Sequence, residues 1–508
     1  MNFLGIDVGT GGTRAVVVND GGRVVAAATS DHKDFASPQP GWAEQDPSDW
    51  WRAACEAVRS VLSEIGGADK IAGVGFSGQM HGAVLLDEHG ELLRTAIIWC
   101  DQRTESQCRK ITERIGQKRL IELTANPALT GFTLPKLLWI RERQPEIWTR
   151  VRTLLLPKDY VRWRLCGELC TDVADASGTL LLNVRERRWS EEMAAEFEID
   201  RRVLPALFES PEVVGKISSE GTKATGLAQG TPVVAGAGDQ AAGAVGLGIV
   251  RAGAVSATIG TSGVVFAATD RPALDPCGRV HTFCHAIPKR WHVMGVTQGA
   301  GLSLRWFRDQ FGAKSGNLND SGSSKKVGDD PYDRLCAEAG SVPAGAGGLL
   351  WAPYLMGERT PHLDPNARAA LVGLTASHTR AHVVRSILEG VAFSLRDTFT
   401  IFHEMKVPVT TVRLGGGGAR SEVWRQIQAN VYGQSVEVVN TEEGAAYGAA
   451  LLAGVGCGAW ASVDAACEMV VRVASRVEPY PASVATMNRR YAAYRSLYPA
   501  LRNISYEG

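Results

Sequence analysis

A strand-glycine-strand pattern occurs twice in this chain, and the repeat constrains the fold more than any single motif. Residues 3–18 read Phe-Leu-Gly-Ile-Asp-Val-Gly-Thr-Gly-Gly-Thr-Arg-Ala-Val-Val-Val, and residues 254–266 read Ala-Val-Ser-Ala-Thr-Ile-Gly-Thr-Ser-Gly-Val-Val-Phe. Each is an apolar run broken by a turn of Gly, Thr and Ser, and then resumed. Such a turn leaves backbone N–H groups and hydroxyls without a wall of side chains, so oxyanions can approach closely. Two turns point to two phosphate grips. The copies differ in one respect: Asp7 stands two residues before Gly9, whereas Thr258 stands two before Gly260. The first copy can hold a metal or a proton, and the second only hydrogen bonds.

A chain of 508 residues is too long for one ordinary core, so two large domains are expected. The duplication divides them into 1–248 and 249–508. The 54 basic and 54 acidic residues balance, which gives no electrostatic reason to expect nucleic acid or an anionic membrane as partner. A small-molecule substrate is the natural expectation. The 10 cysteines are scattered, as in a reduced, cytoplasmic protein, and His281, Cys284 and His285 fall in a strand-like run without a fourth metal ligand. The start of the chain does not read as a signal peptide. Two charge-poor stretches, 251–270 and 338–358, are interrupted by the second glycine turn and by prolines and glycines respectively, so neither is expected to span a membrane.

The first half opens with strands expected at about 2–8, 14–19 and 23–29, then a helix over 47–65 with Asp46 as N-cap and Pro47 at its first position. A buried strand over 71–76 runs into Ser-Gly-Gln-Met-His at 77–81, and another is expected over 232–237. Alternation of strands with helices implies a largely parallel sheet. In the second half the sequence predicts a strand at 291–296, helices at 301–311, 378–405 and 421–432, a strand at 411–414 ending in four glycines, and a helix at 443–454 behind the acidic pair Glu442-Glu443. Residues 313–330 are polar and read as a surface loop.

Asp239 directly follows the strand at 232–237 in Gly-Asp-Gln-Ala-Ala-Gly, where open α/β sheets bind ligands, and also where an aspartate would cap a helix. The residues alone leave both readings open. Met80 and His81 occupy a glycine-flanked turn at a strand end, suited to ligand contact or to a structural histidine. Trp99 suits a sugar face or a core.

Together these segments resemble the FGGY family of carbohydrate kinases over nearly the whole chain. The resemblance is carried by residues 5–10 (Gly-Ile-Asp-Val-Gly-Thr), 41–47 (Gly-Trp-Ala-Glu-Gln-Asp-Pro), 78–82 (Gly-Gln-Met-His-Gly), 156–160 (Leu-Pro-Lys-Asp-Tyr), 238–243, 259–263, 357–361 (Gly-Glu-Arg-Thr-Pro) and 416–421. It implies an α/β fold of two actin-like (RNase H-like) ATPase domains with a deep interdomain cleft, sugar bound mainly by the first and ATP mainly by the second. By the same resemblance, Asp239 is the catalytic base and Asp7 is the carboxylate that holds Mg²⁺, through water. Met80, His81, Trp99, Asp239 and Gln240 would line the sugar. Thr10, Gly12, Thr13, Gly260, Thr261, Gly301, Arg305, Gly417, Gly418 and Glu422 would contact ATP. Arg305 and Glu422 replace amides found in relatives that act on glycerol.

The Met80-His81 pair matches family members that phosphorylate D-xylulose to its 5-phosphate, and differs from the Arg-Glu of those that act on glycerol. Gln240, where the xylulose-phosphorylating members often carry Asn, keeps another ketose or polyol, such as ribulose or L-xylulose, as the alternative. The partners expected are a ketose and ATP, with no nucleic acid and no membrane, and a homodimer is left open. A nucleotide-driven switch or an idle sugar sensor of the same fold is disfavoured by the presence of both Asp7 and Asp239.

Overall fold

The computed structural model describes residues 1–312, 330–441 and 443–504. It contains two compact units. The first comprises Met1–Ala252, Ala268–Val293 and Glu443–Arg472, and the second Gly253–Ala267, Met294–Glu442 and Val473–Gly508. Both units are α/β, each built on a mixed sheet.

In the first unit, strand Asn2–Val8 pairs antiparallel with Gly12–Asn19, which pairs antiparallel with Val24–Asp31. On its other side Asn2–Val8 pairs parallel with Ile71–Gly78, placing Asp7 opposite Ser77. The helix Pro47–Ile65 begins where the sequence predicts, with the Asp46 carboxylate accepting from the Ser48 N–H and Gly66 closing the other end at φ 77°. Trp50, Ala54, Ala57, Val58, Val61 and Leu62 form its buried face, recurring three and four residues apart as an amphipathic helix requires.

The strand expected over 232–237 is two short strands instead. Pro232–Val234 pairs with Ile71–Gly78, Gly236 turns the backbone at φ 82°, and Ala237–Gly238 pairs again with Ser77 and Gly78. The break lets the chain leave the sheet at Asp239, the first residue of helix Asp239–Gly246.

The division at 248/249 expected from the duplication differs from the compact units, because helix Gly444–Gly456 belongs to the first. Its backbone lies directly on the sheet. A Cβ at Gly5 would fall 1.9 Å from the Ala446 carbonyl oxygen, and one at Gly75 would fall 2.1 Å from that of Ala449. Small residues on both sides are what allow this contact, and sequence separation gives no hint of it.

The second unit repeats the opening plan. Gly253–Ile259 pairs antiparallel with Gly263–Thr269 and parallel with Val409–Gly416, so Thr258 lies opposite Gly415 as Asp7 lies opposite Ser77. Val409–Gly416 pairs with Val436–Val439, which pairs antiparallel with Val473–Val477. Helices Ala300–Phe311, Arg380–Glu404 and Glu422–Tyr432 lie close to their expected positions. The loop expected over 313–330 lies outside the described residues except for Asp330, which caps helix Pro331–Gly340 by accepting from the Tyr332 N–H. No described helix is long and apolar enough to cross a membrane.

Gly5→Ala is expected to lower stability by about 1–3 kcal/mol, because the new methyl meets backbone rather than a side chain able to move. The check is the denaturant midpoint, and an unchanged midpoint would contradict the close approach.

Candidate active site

Three parallel strand ends converge in the first unit. Asp7 on the first strand, Ser77 on the next and Ala237 beyond it share one register, so their backbones step across the sheet at about 4.8 Å per strand. Two residues past Ala237 comes Asp239. Its helix is capped by Gly238, which makes no side-chain capping bond, so Asp239 occupies the first helical turn and not the N-cap position. The residue keeps a partly exposed face, yet burial of its carboxyl, followed by the nearby Asp7 carboxylate, pushes it up to about 7. Asp7 is also raised by burial, against the pull of the Ser77 hydroxyl and the Arg14 guanidinium. Its Oδ1 atom is buried without a hydrogen-bond partner.

His81 sits at φ 71°, a left-handed conformation uncommon outside glycine and asparagine. Two groups hold its carbonyl there, the Lys136 amine at 2.8 Å and the Thr133 hydroxyl at 3.1 Å. Lys136 also donates to the Gly131 carbonyl at 2.8 Å. Burial brings Lys136 down to about 7, and two N–H bonds are what a neutral amine can supply. The His81 ring bonds the Gly178 carbonyl through Nδ1 at 2.9 Å, which places a hydrogen on Nδ1. Its edge rests on Phe132, 4.8 Å between centroids at 87°. Met80 is buried and lies against the backbone of Gly238 beside Asp239. Trp99 is half-buried and donates its indole N–H to the Thr10 hydroxyl at 2.9 Å.

Lys136 was not singled out from the sequence, since nothing at 133–143 marks one lysine as buried. Other support residues fall in motifs whose purpose the sequence left open. Glu44, in the motif at 41–47, accepts from Arg94 at 2.6 Å and Arg103 at 2.7 Å, and Arg103 lies 3.7 Å over the Trp42 ring. Arg103 also grips Asp101, which accepts from the Ala43 N–H at 2.6 Å, so the loop after Trp99 is fixed at both ends.

The motif at 156–160 supplies a buried charge cluster. Lys158 lies 2.5 Å from Asp159, 2.6 Å from Asp172 and 3.5 Å from Asp175, with Arg162 2.9 Å from Asp159. Burial raises both Asp172 and Asp175, against the pull of the Lys158 ammonium. Arg162 also donates to the Ala235 carbonyl at 2.6 Å, next to the break that delivers Asp239.

In the second unit a cavity of about 310 Å³ opens beside the second glycine turn, a volume within the range of small-molecule sites. Gly260, Thr261, Gly301, Arg305, Gly417 and Gly418 line it, and the Gly301 N–H donates to the Gly260 carbonyl at 2.9 Å. Tyr332, Cys336 and Trp424 add the apolar wall that the sequence did not point out. Glu422 is not part of the lining: its carboxylate is 92% exposed and lies 3.6 Å from Arg425. Gly12 and Thr13 belong to the first unit, where the Thr13 hydroxyl bonds His32 Nε2 at 2.8 Å. Gln240 follows Asp239 in the first turn of its helix and is half-buried.

Residues 2–246 match the N-terminal domain, and residues 255–457 the C-terminal domain, of the FGGY family of carbohydrate kinases, and the chain belongs to that family. As a kinase of this family it uses ATP. A xylulose kinase of Bacillus subtilis is 38% identical over 503 residues, covering 99% of this chain and 97% of its own. One from Escherichia coli is 40% identical over 452 residues, 89% of each chain. The solved xylulose kinase from Rhodospirillum rubrum superposes with a TM-score of 0.89 at 29% identity, covering 99% of both chains.

Lys158→Met leaves buried carboxylates without their cation and is expected to cost about 3–5 kcal/mol. Equilibrium unfolding in denaturant reads this, and a loss typical of a surface ion pair, below about 1 kcal/mol, would contradict the burial of the cluster.

Proposed function

We propose that the protein transfers the γ-phosphoryl group of ATP to the terminal hydroxyl of D-xylulose, giving D-xylulose 5-phosphate. The observation that carries this reading is Asp239, a carboxyl raised to about 7 at the exit of the sheet, beside a second carboxyl and the His81 turn. A general base works best when its pKa lies near the operating pH. Asp239 takes the proton from the sugar hydroxyl as that oxygen attacks phosphorus. Transfer of this kind depends on positioning and charge neutralisation, with little covalent work for the protein.

The residues present suit a magnesium ion. Asp7 offers a buried carboxylate oxygen without a hydrogen-bond partner among the described residues, and magnesium commonly binds through one or two carboxylates while keeping much of its water. Bound there, it would neutralise phosphate charge. The turn Gly9–Thr13 in the first unit and the turn at Gly260 with its adjoining cavity in the second are assigned to the phosphates and the nucleotide. His81, its ring oriented by Gly178, and the half-buried Trp99 are assigned to the sugar. Support for xylulose comes from the xylulose kinases of B. subtilis and E. coli, similar over most of this chain. Gln240 directly follows the base, and another ketose or polyol is the alternative that it favours.

The first test is ADP release from Mg-ATP with D-xylulose, L-xylulose, D-ribulose, L-ribulose, glycerol or no sugar. D-xylulose is expected to give the highest kcat/KM; preference for another sugar would move the specificity and keep the kinase. His81→Ala is expected to raise the KM for the sugar several-fold more than that for ATP, and the reverse would displace His81 from the sugar side.

Because Asp239 must be ionised to accept a proton, kcat/KM is expected to fall about ten-fold per pH unit below about 7 and to level off above it. Asp239→Asn is expected to lower kcat by about 10²–10⁴ with ATP affinity nearly intact. It is also expected to raise the melting temperature at pH 8. The raised pKa means that ionising Asp239 disfavours the folded state, a penalty that grows as pH rises from the ordinary carboxylate range to about 7 and is fully present above it. A full-activity Asn variant would remove the base assignment.

A further inference from the structure

Six hydrogen bonds beneath the first glycine turn determine where the hydrogen of the Thr10 hydroxyl points. The argument starts at Trp50, fully buried, whose indole N–H can only donate. It lies 3.2 Å from one amide atom of Gln45, which is therefore the oxygen, Oε1. Gln45 Nε2 is then the atom that donates to the Thr10 carbonyl at 2.8 Å. The Gln79 amide atom 2.9 Å from Gln45 Oε1 has to be a donor, so it is Nε2, and the same nitrogen donates to the Gly9 carbonyl at 3.3 Å. That leaves Gln79 Oε1 facing the Thr10 hydroxyl at 3.3 Å, where it can only accept. On its other side the hydroxyl receives the Trp99 indole N–H, again an obligate donor, at 2.9 Å. A hydroxyl has one hydrogen. Here it is committed to Gln79.

From this we infer that Gln79 is a positioning residue joining the sugar side of the first unit to its phosphate turn, with the Thr10 hydroxyl as the shared atom. The inference rests on the assignment of Trp99 to the sugar and of the turn to phosphate. Gln79 and Gln45 are both buried, and a buried amide left without partners is costly. Shifting the Trp99 ring moves the donor on Thr10. Turning the Thr10 hydroxyl toward a phosphate oxygen strips Gln79 Oε1 of its hydrogen. Each ligand therefore acts on a bond that the other needs, which is the physical content of coupling between two sites. The network also accounts for Gln45 and Gln79 in the motifs at 41–47 and 78–82, which the assignment of substrate contacts does not use.

The test is the affinity of full-length protein for a non-hydrolysable ATP analogue with Mg²⁺, measured by calorimetry with and without a saturating sugar, the sugar being whichever the ADP-release panel prefers. A different preferred sugar overturns the substrate assignment and leaves the coupling measurable. In the unaltered protein the sugar is expected to tighten the analogue by about five-fold or more. Gln79→Leu is expected to bring that factor below about two-fold, with sugar and analogue each still binding alone. Trp99→Phe keeps an aromatic ring and removes the donor to Thr10 together with the second ring of the indole, so it is read with sugar saturating for the variant and decides the matter if Gln79→Leu does not fold; the same loss of coupling is expected. The double variant should lose no more than either single one, because both act through one hydroxyl. A wild-type factor near one, retention of the full factor in either folded variant, or strictly additive losses would overturn the inference.

Discussion

The Lys158 ammonium is the contact on which the rest of the first unit's site depends. It is fully buried among Asp159, Asp172 and Asp175, and each of its neighbours has a second task. Arg162, paired with Asp159, carries the Ala235 carbonyl just ahead of the turn that releases Asp239 from the sheet. Asp172 caps the short helix Val173–Ala176 by accepting from the Ala174 and Asp175 N–H groups, and that helix leads to Gly178, whose carbonyl orients His81. A buried ion cluster is weak evidence of net stability, since desolvation cancels much of the attraction. Its value here is geometric, because one cation underlies both the exit of Asp239 from the sheet and the orientation of the His81 ring.

The two halves began from one plan and diverged in electrostatics. Asp7 and Thr258 occupy equivalent register positions, and Asp7 lies near a second carboxyl, that of Asp239. Burial first, and then the neighbouring Asp7 carboxylate, raises Asp239, while Asp7 is itself raised by burial against the pull of Ser77 and Arg14. The cavity of the second unit is lined by glycines, Thr261 and charged side chains of both signs, Arg305 and Arg420 with Asp330 and Asp333.

The sequence disclosed most where local chemistry is decisive. Asp46, Pro47 and the 3.6-residue pattern defined helix Pro47–Ile65, and the glycine turns marked the strand ends on which Asp7 and Gly260 stand. Asp239 stood out because it follows a strand directly. The break at Gly236 was not legible, because its cause is a backbone conformation seen only in three dimensions. Lys136 and Arg162 were equally hidden, since a lysine or arginine in a helix reads as solvent-facing until the fold buries it. Glu422, whose motif position suggested a ligand contact, has its side chain turned outward beside Arg425.

Helix Gly444–Gly456 covers strands that begin at the second residue of the chain. During synthesis at roughly 5–20 residues per second, that face of the sheet waits on the order of tens of seconds for its cover. The exposed strip consists of the glycine-bearing strands Asn2–Val8 and Ile71–Gly78, whose paired backbones offer little side-chain bulk to shield them. A nascent chain of this design therefore carries an uncovered sheet face through most of its synthesis, and the small residues that permit the tight contact in the finished protein leave that face with little side-chain cover until the helix emerges.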